Sequence, residues 1–113
     1  MKRYLISFDD GWMNFPTEAD WVAVGEASHK VVREAKDAGV WIFGAGLQTQ
    51  SASVVATDGA ITAGPNPETK AVIGGFSIIE VSSHEDALEW ATKIAVACRC
   101  TQEVRELMYD PES

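Results

Sequence analysis

Pro65-Asn66-Pro67-Glu68-Thr69-Lys70-Ala71-Val72-Ile73-Gly74-Gly75-Phe76-Ser77-Ile78-Ile79-Glu80-Val81 is the stretch on which the fold turns. It opens as a Pro/Asn loop, passes a Glu-Thr-Lys triplet and a Gly-Gly pair, and becomes a strand. Phe76, Ile78, Ile79 and Val81 supply four apolar residues in six, which reads as a central strand rather than an edge. The glycine pair just before it lets the backbone bend, or lets another backbone or a ligand come close. A polar, charged loop feeding a buried strand suits a pocket wall, although a plain connection is the commoner use of such a loop.

Working outward toward the N-terminus, Lys2–Phe8 alternates as a first strand, with Tyr4, Ile6 and Phe8 on one face. Asp9-Asp10-Gly11 stops it. The loop that follows carries Trp12, Met13 and Phe15, and so many apolar groups predict that it packs down. Pro16-Thr17-Glu18-Ala19-Asp20 is a helix start, with Thr17 as cap and Asp20 completing a capping box. Trp21, Val24, Ala27, Val31, Ala35 and Ala38 then fall on one helical face, charged residues such as Lys30 and Lys36 supply the wet side, and Gly39 ends the helix. Val40–Phe43 reads as a second strand. Gly44-Ala45-Gly46 lacks the following helix start and lysine that a phosphate loop needs. Ser53–Thr57 and Ala60–Ala63 flank Asp58-Gly59, a two-residue hairpin signal.

Beyond the central strand, Ser83 and Asp86 form a second capping box. Ala87, Leu88, Trp90, Ala91, Ile94 and Ala95 give that helix its apolar stripe. Gln102–Met108, centred on Val104, is the last strand. The order predicts an α+β domain, the ferredoxin-like βαββαβ pattern with an inserted β-hairpin. Both helices then cover one face of the sheet, and the other face calls for a partner, most simply a second copy in a homodimer.

The 113 residues suffice for one domain, spanning 1–113. With 46% hydrophobic and 23% charged residues, the composition is that of a folded globular chain. A formal charge of −8 argues against nucleic acid and anionic membrane surfaces as partners. No apolar run reaches the length of a membrane span, and the N-terminal strand meets Asp9-Asp10 too soon for a signal peptide. Cys98 and Cys100 sit too close for an ordinary disulfide framework, so a cytoplasmic location is expected.

Ala63-Gly64-Pro65-Asn66-Pro67-Glu68-Thr69-Lys70, followed by Gly74-Gly75-Phe76 and a strand, resembles the signature of the YCII-related proteins, and in particular of their DGPF-type branch. The resemblance extends through Asp9-Asp10, Ala38-Gly39, Gly46-Leu47, Asp58-Gly59, Ala87–Ala91 and Glu103-Val104-Arg105. It implies a dimeric α/β barrel of ferredoxin-like subunits. Several positions depart from the branch: Ala63 stands where it usually has Asp, Asn66 where it has Phe, Ala95 where a proline is common after the second helix, and Cys98-Arg99-Cys100 in a normally small, Gly-containing stretch. Some YCII-like members use a His/Asp pair in catalysis, including a dehydrochlorinase of aromatic degradation, and others are encoded beside sigma factors.

His29 is the leading candidate for chemistry. It lies on the first helix, and its spacing to Gly46 resembles that of the helix histidine in YCII proteins. A neutral imidazole beside a carboxylate can take a proton from a phenol or an acidic carbon. Asp9 or Asp10, at the end of the first strand, is the expected partner, while a plain helix-surface histidine is the bland alternative. Glu68, Thr69 and Lys70 are the expected ligand-binding residues, Glu68 and Lys70 at a ligand's polar end. The alternative for those two is an exposed pair that stabilises little. His84 fits an exposed first-turn position. Cys98 and Cys100 lack the further ligands of a closed zinc site, so neither metal nor cofactor is expected. The four tryptophans suit a core or an interface.

The expected function is therefore that of a homodimer binding a small organic molecule in a cleft between sheet and helix, with His/Asp acid–base, lyase-like activity as a possible extension. A non-catalytic interaction or regulatory module is the alternative.

Overall fold

A computed structural model describes residues 1–48, 52–64 and 72–113. Its elements run β1 (Lys2–Asp9), α1 (Glu18–Asp37), β2 (Trp41–Gly46), β3 (Ser53–Val55), β4 (Ile61–Ala63), β5 (Ile73–Val81), α2 (His84–Cys98) and β6 (Glu103–Glu106). Four strands form an antiparallel sheet in the order β2-β5-β1-β6, and β3 pairs with β4 in a separate two-stranded ladder. This mixed α+β arrangement is consistent with a ferredoxin-like fold.

The strand expected at the centre is there: β5 lies between β2 and β1. Its apolar run meets the apolar run of β1 residue by residue, Tyr4 opposite Ile79 and Ile6 opposite Ser77. Directly opposed residues share a face. Tyr4, Ile6, Ile79 and Val81 therefore point together toward α2, where Ala87 and Ala91 close the core. Tyr4 and Ile6 are completely buried, and each such apolar side chain contributes on the order of 2 kcal/mol.

Both helix starts behave as their capping residues dictate. The Thr17 hydroxyl accepts from the Asp20 amide at 3.1 Å, and the Ser83 hydroxyl from the Asp86 amide at 3.2 Å. Helix α1 ends at Asp37, Ala38 is its cap, and Gly39 just beyond takes φ +75°. α2 ends differently, on Arg99 in the left-handed region at φ 53°. Non-glycine residues adopt that conformation at a cost of roughly 1 kcal/mol. Here the turn delivers the guanidinium to Asp20 of α1 at 3.1 Å and sets it over the Phe15 ring. A second ion pair, Lys93 to Glu34 at 3.4 Å, also joins the two helices.

Several boundaries and faces differ from expectation. β2 does not stop at Phe43 but continues through Gly46 along β5, and β5 begins at Ile73, so Gly74 and Gly75 lie inside the strand. Trp21 belongs to no core: it is 47% exposed and meets Phe15 edge-on. Within α1 only Val24 and Ala35 are buried. The opposite face of the sheet carries Leu5, Phe43, Phe76 and Ile78, with Phe43 57% exposed and its ring 6.0 Å from that of Phe76.

Candidate functional site

Between α1 and the helix-side face of the sheet lies a cleft of about 380 Å³, within the range of small-molecule pockets. Its floor is built from aromatic rings lying over glycines. A Cβ on Gly75 would sit 2.6 Å from Cζ of Phe8, and one on Gly74 2.9 Å from its Cε2. The Phe8 ring thus occupies the space two side chains would need. Likewise the Trp41 indole covers Gly44, where a Cβ would come within 2.7 Å of Cη2. These glycines are what allow the rings to approach the sheet backbone so closely.

Helix α1 forms the facing wall. Its positions 29, 32 and 36 are spaced by three and four residues, so His29, Val32 and Lys36 form one stripe along the cleft. Ser28 and Ser77 add hydroxyls, Gln102 an amide, and Met13 an apolar cover from the loop after β1. Among the described residues, no aspartate or glutamate lines the cleft.

His29 is exposed on this wall and makes no hydrogen bond or ion pair among the described residues. Asp9 and Asp10 are not part of the lining. A bulge between Phe8 and Asp9 breaks the alternation at the end of β1, and the Asp10 amide is engaged with the Val72 carbonyl. The structure thus brings His29 to the cleft without placing either aspartate in its wall. Glu68, Thr69 and Lys70 lie outside the described residues. His84 is exposed at the start of α2, its ring 5.8 Å from that of Tyr4.

Cys98 lines the far end of the cleft. Burial, and then its neighbour Cys100, push its thiol up from 9.0 to about 11, so it stands there as a neutral, unreactive group. Cys100 is pushed up by burial too, with Gln102 donating to its sulfur at 3.2 Å. Both cysteines are free. Among the described residues no group of three or more His, Cys, Asp and Glu side chains is placed to hold a metal ion. Likewise, no helix there is long and apolar enough to cross a membrane.

Lys36, Phe8 and Trp41 were not legible as site residues. Sequence periodicity places Lys36 on the wet side of α1 and Phe8 and Trp41 in strands. The one available signal was the Gly-Gly pair, which marks a close approach without saying what approaches.

Fold and site together define a class: an α+β domain consistent with a ferredoxin-like fold, carrying an apolar cleft between its first helix and its sheet. Residues 18–108 match the family model of the YCII-related domain, and the chain belongs to that family. No curated protein matches it.

Proposed function

We propose that this YCII-related protein binds a small organic molecule in the cleft between α1 and the sheet, as a homodimer, with His29 as its proton acceptor. The observation that carries the reading is the cleft itself: a pocket of ligand size, lined by aromatic rings, with an imidazole on its wall that has no side-chain partner among the described residues. Asp9 or Asp10, one and two residues beyond the floor residue Phe8, is assigned the role of orienting carboxylate, and Glu68, Thr69 and Lys70 that of contacting the ligand's polar end. Membership of the DGPF-type branch rests on the signature around Glu68-Thr69-Lys70 and Gly74-Gly75-Phe76. The proposed setting is the cytoplasm.

Two observations support the dimer. One is the apolar sheet face around Phe43, Phe76 and Ile78, which no element of the chain covers among the described residues. The other is surface area. A folded monomer of 12.2 kDa exposes about 6,100 Å², whereas this chain exposes 7944 Å². The excess is larger than the roughly 800 Å² each partner contributes to a standard interface.

Native mass spectrometry of the freshly purified protein tests both parts. A dimer carrying an organic adduct that disappears in His29→Ala is the expected result. A monomer, or a dimer that stays empty and binds no member of a small-molecule library, would overturn it.

The second reading, a non-catalytic interaction module, is favoured by the cross-strand pair Val55 and Ile61, 65% and 70% exposed on the β3–β4 ladder. Co-purification of a stoichiometric protein partner, lost in Val55→Ser, would select it.

A further inference from the structure

We infer that the cleft takes a flat organic anion, a carboxylate on an aromatic body, with its charged end at Lys36. The inference rests on the ligand-binding reading above, specifies the chemical class of the ligand, and puts Lys36 in place of Glu68 and Lys70 as the group that meets its charged end. The shape follows from the lining, where the aromatic rings of Phe8 and Trp41, packed close against glycines, offer an apolar surface suited to another ring.

The charge follows from the wall. The chain carries 17 acidic residues against 9 lysines and arginines. Sixteen residues drawn at random from it would include about two acids, yet none of the sixteen described residues that line the cleft is acidic. Lys36 is the one fixed charge among them, and it has no ion-pair partner among the described residues. Its neighbours Glu34 and Asp37, two and one residues away, sit on other faces of the helix and outside the described lining, and Glu34 is already paired with Lys93.

The net charge of −8 works the other way, repelling anions at long range. Salt screens that field beyond about 8 Å under physiological conditions, whereas a lysine on the cleft wall acts within contact distance. The local term therefore decides. Lys36 and His29 are seven residues apart on one helix, about 10 Å along its axis. A ligand anchored by its carboxylate at Lys36 extends its ring toward His29.

Isothermal titration of the purified protein with phenylacetate, phenylacetamide and phenethylamine tests this, because the three share a ring and differ in charge. Phenylacetate is expected to bind about fivefold tighter than the amide, the upper end of what one exposed ion pair contributes, and the amine weakest. Lys36→Gln, at an exposed position, should equalise acid and amide. If acid and amide bind alike to the wild type, or the preference survives in Lys36→Gln, the charge assignment is overturned while the cleft reading stands. If none of the three binds at millimolar concentration, the cleft reading falls and the inference with it.

Discussion

Replacing Gly75 by alanine tests the construction of the cleft floor at a single carbon atom. The added Cβ would lie 2.6 Å from Cζ and 2.7 Å from Cε1 of Phe8, and 3.1 Å from the Ala45 carbonyl oxygen. Carbon atoms rest comfortably at about 3.5–4.0 Å, so the ring must retreat by about 1 Å. The Ala45 oxygen belongs to the β2 backbone and cannot yield, which leaves the cleft as the only direction open to Phe8. Overpacking of this kind costs about 1–3 kcal/mol. Against it stands a gain of about 0.5–1 kcal/mol from removing a glycine from a strand interior. Gly75→Ala should therefore destabilise by up to about 2.5 kcal/mol in urea unfolding. In a Phe8→Ala background the ring clash is gone and only the 3.1 Å approach to the Ala45 oxygen still opposes the gain, so the same substitution should cost markedly less. This loss of most of the penalty across the double-mutant cycle is the distinctive outcome. Equal effects of Gly75→Ala in both backgrounds would refute the ring-over-glycine account of the floor.

Three further outcomes follow from the same contacts. Tyr4→Phe keeps the buried ring but loses the hydroxyl's 3.3 Å hydrogen bond to Glu106, and should cost about 0.5–1.5 kcal/mol in urea unfolding. The Asp20 carboxyl is held below its ordinary value by the Thr17 hydroxyl and then by Arg99. Its stabilising contribution is thus complete above the ordinary carboxylate range and lost as pH falls through the lowered value. Thermal unfolding followed downward from neutral pH should fall less steeply in Asp20→Asn than in the wild type. Cys98 holds its proton up to about 11, against 9.0 ordinarily, so over that window the unfolded chain binds fewer protons than the folded one. Stability should decline with rising pH there, and Cys98→Ala should show a shallower decline in the same unfolding measurement.

The central position of β5 and both helix starts could be read from sequence because each depends on local pattern: apolar density for the strand, a hydroxyl or carboxylate at a fixed offset for the caps. What escaped depends on partners distant in the chain. Gly74 and Gly75 look like a break before a strand until Phe8, across the β1–β5 ladder, is seen to need their space. Gly44-Ala45-Gly46 looks like a loop for the same reason, since the Trp41 ring above Gly44 is what makes glycine the fitting strand residue. Helical periodicity sorts side chains into core and solvent. It has no third category for Lys36, which stands on the wall of a gap between helix and sheet. Trp21 fails in the opposite way: its position on the apolar stripe suggests core, but the stripe there runs past the end of the sheet contact and the ring meets Phe15 instead. His29 stands out in sequence as a histidine on an amphipathic helix, and the structure puts it on the cleft wall, whereas the bulge between Phe8 and Asp9 has no local signature.

The two ion pairs between the helices have a consequence for motion. Asp20–Arg99 ties the first turn of α1 to the far end of α2, Glu34–Lys93 ties its last turn to the middle of α2, and α1 packs more extensively on α2 than on the sheet. The cleft lies on the side of α1 where it is least held. The arrangement predicts that the cleft opens by movement of α1 over the sheet on the microsecond-to-millisecond scale, with α2 held by its core contacts. Admission of a ligand then depends on residues that never touch it. Arg99→Ala should broaden relaxation-dispersion signals along the whole of α1, whereas broadening confined to its first turn would mean the helix merely frays.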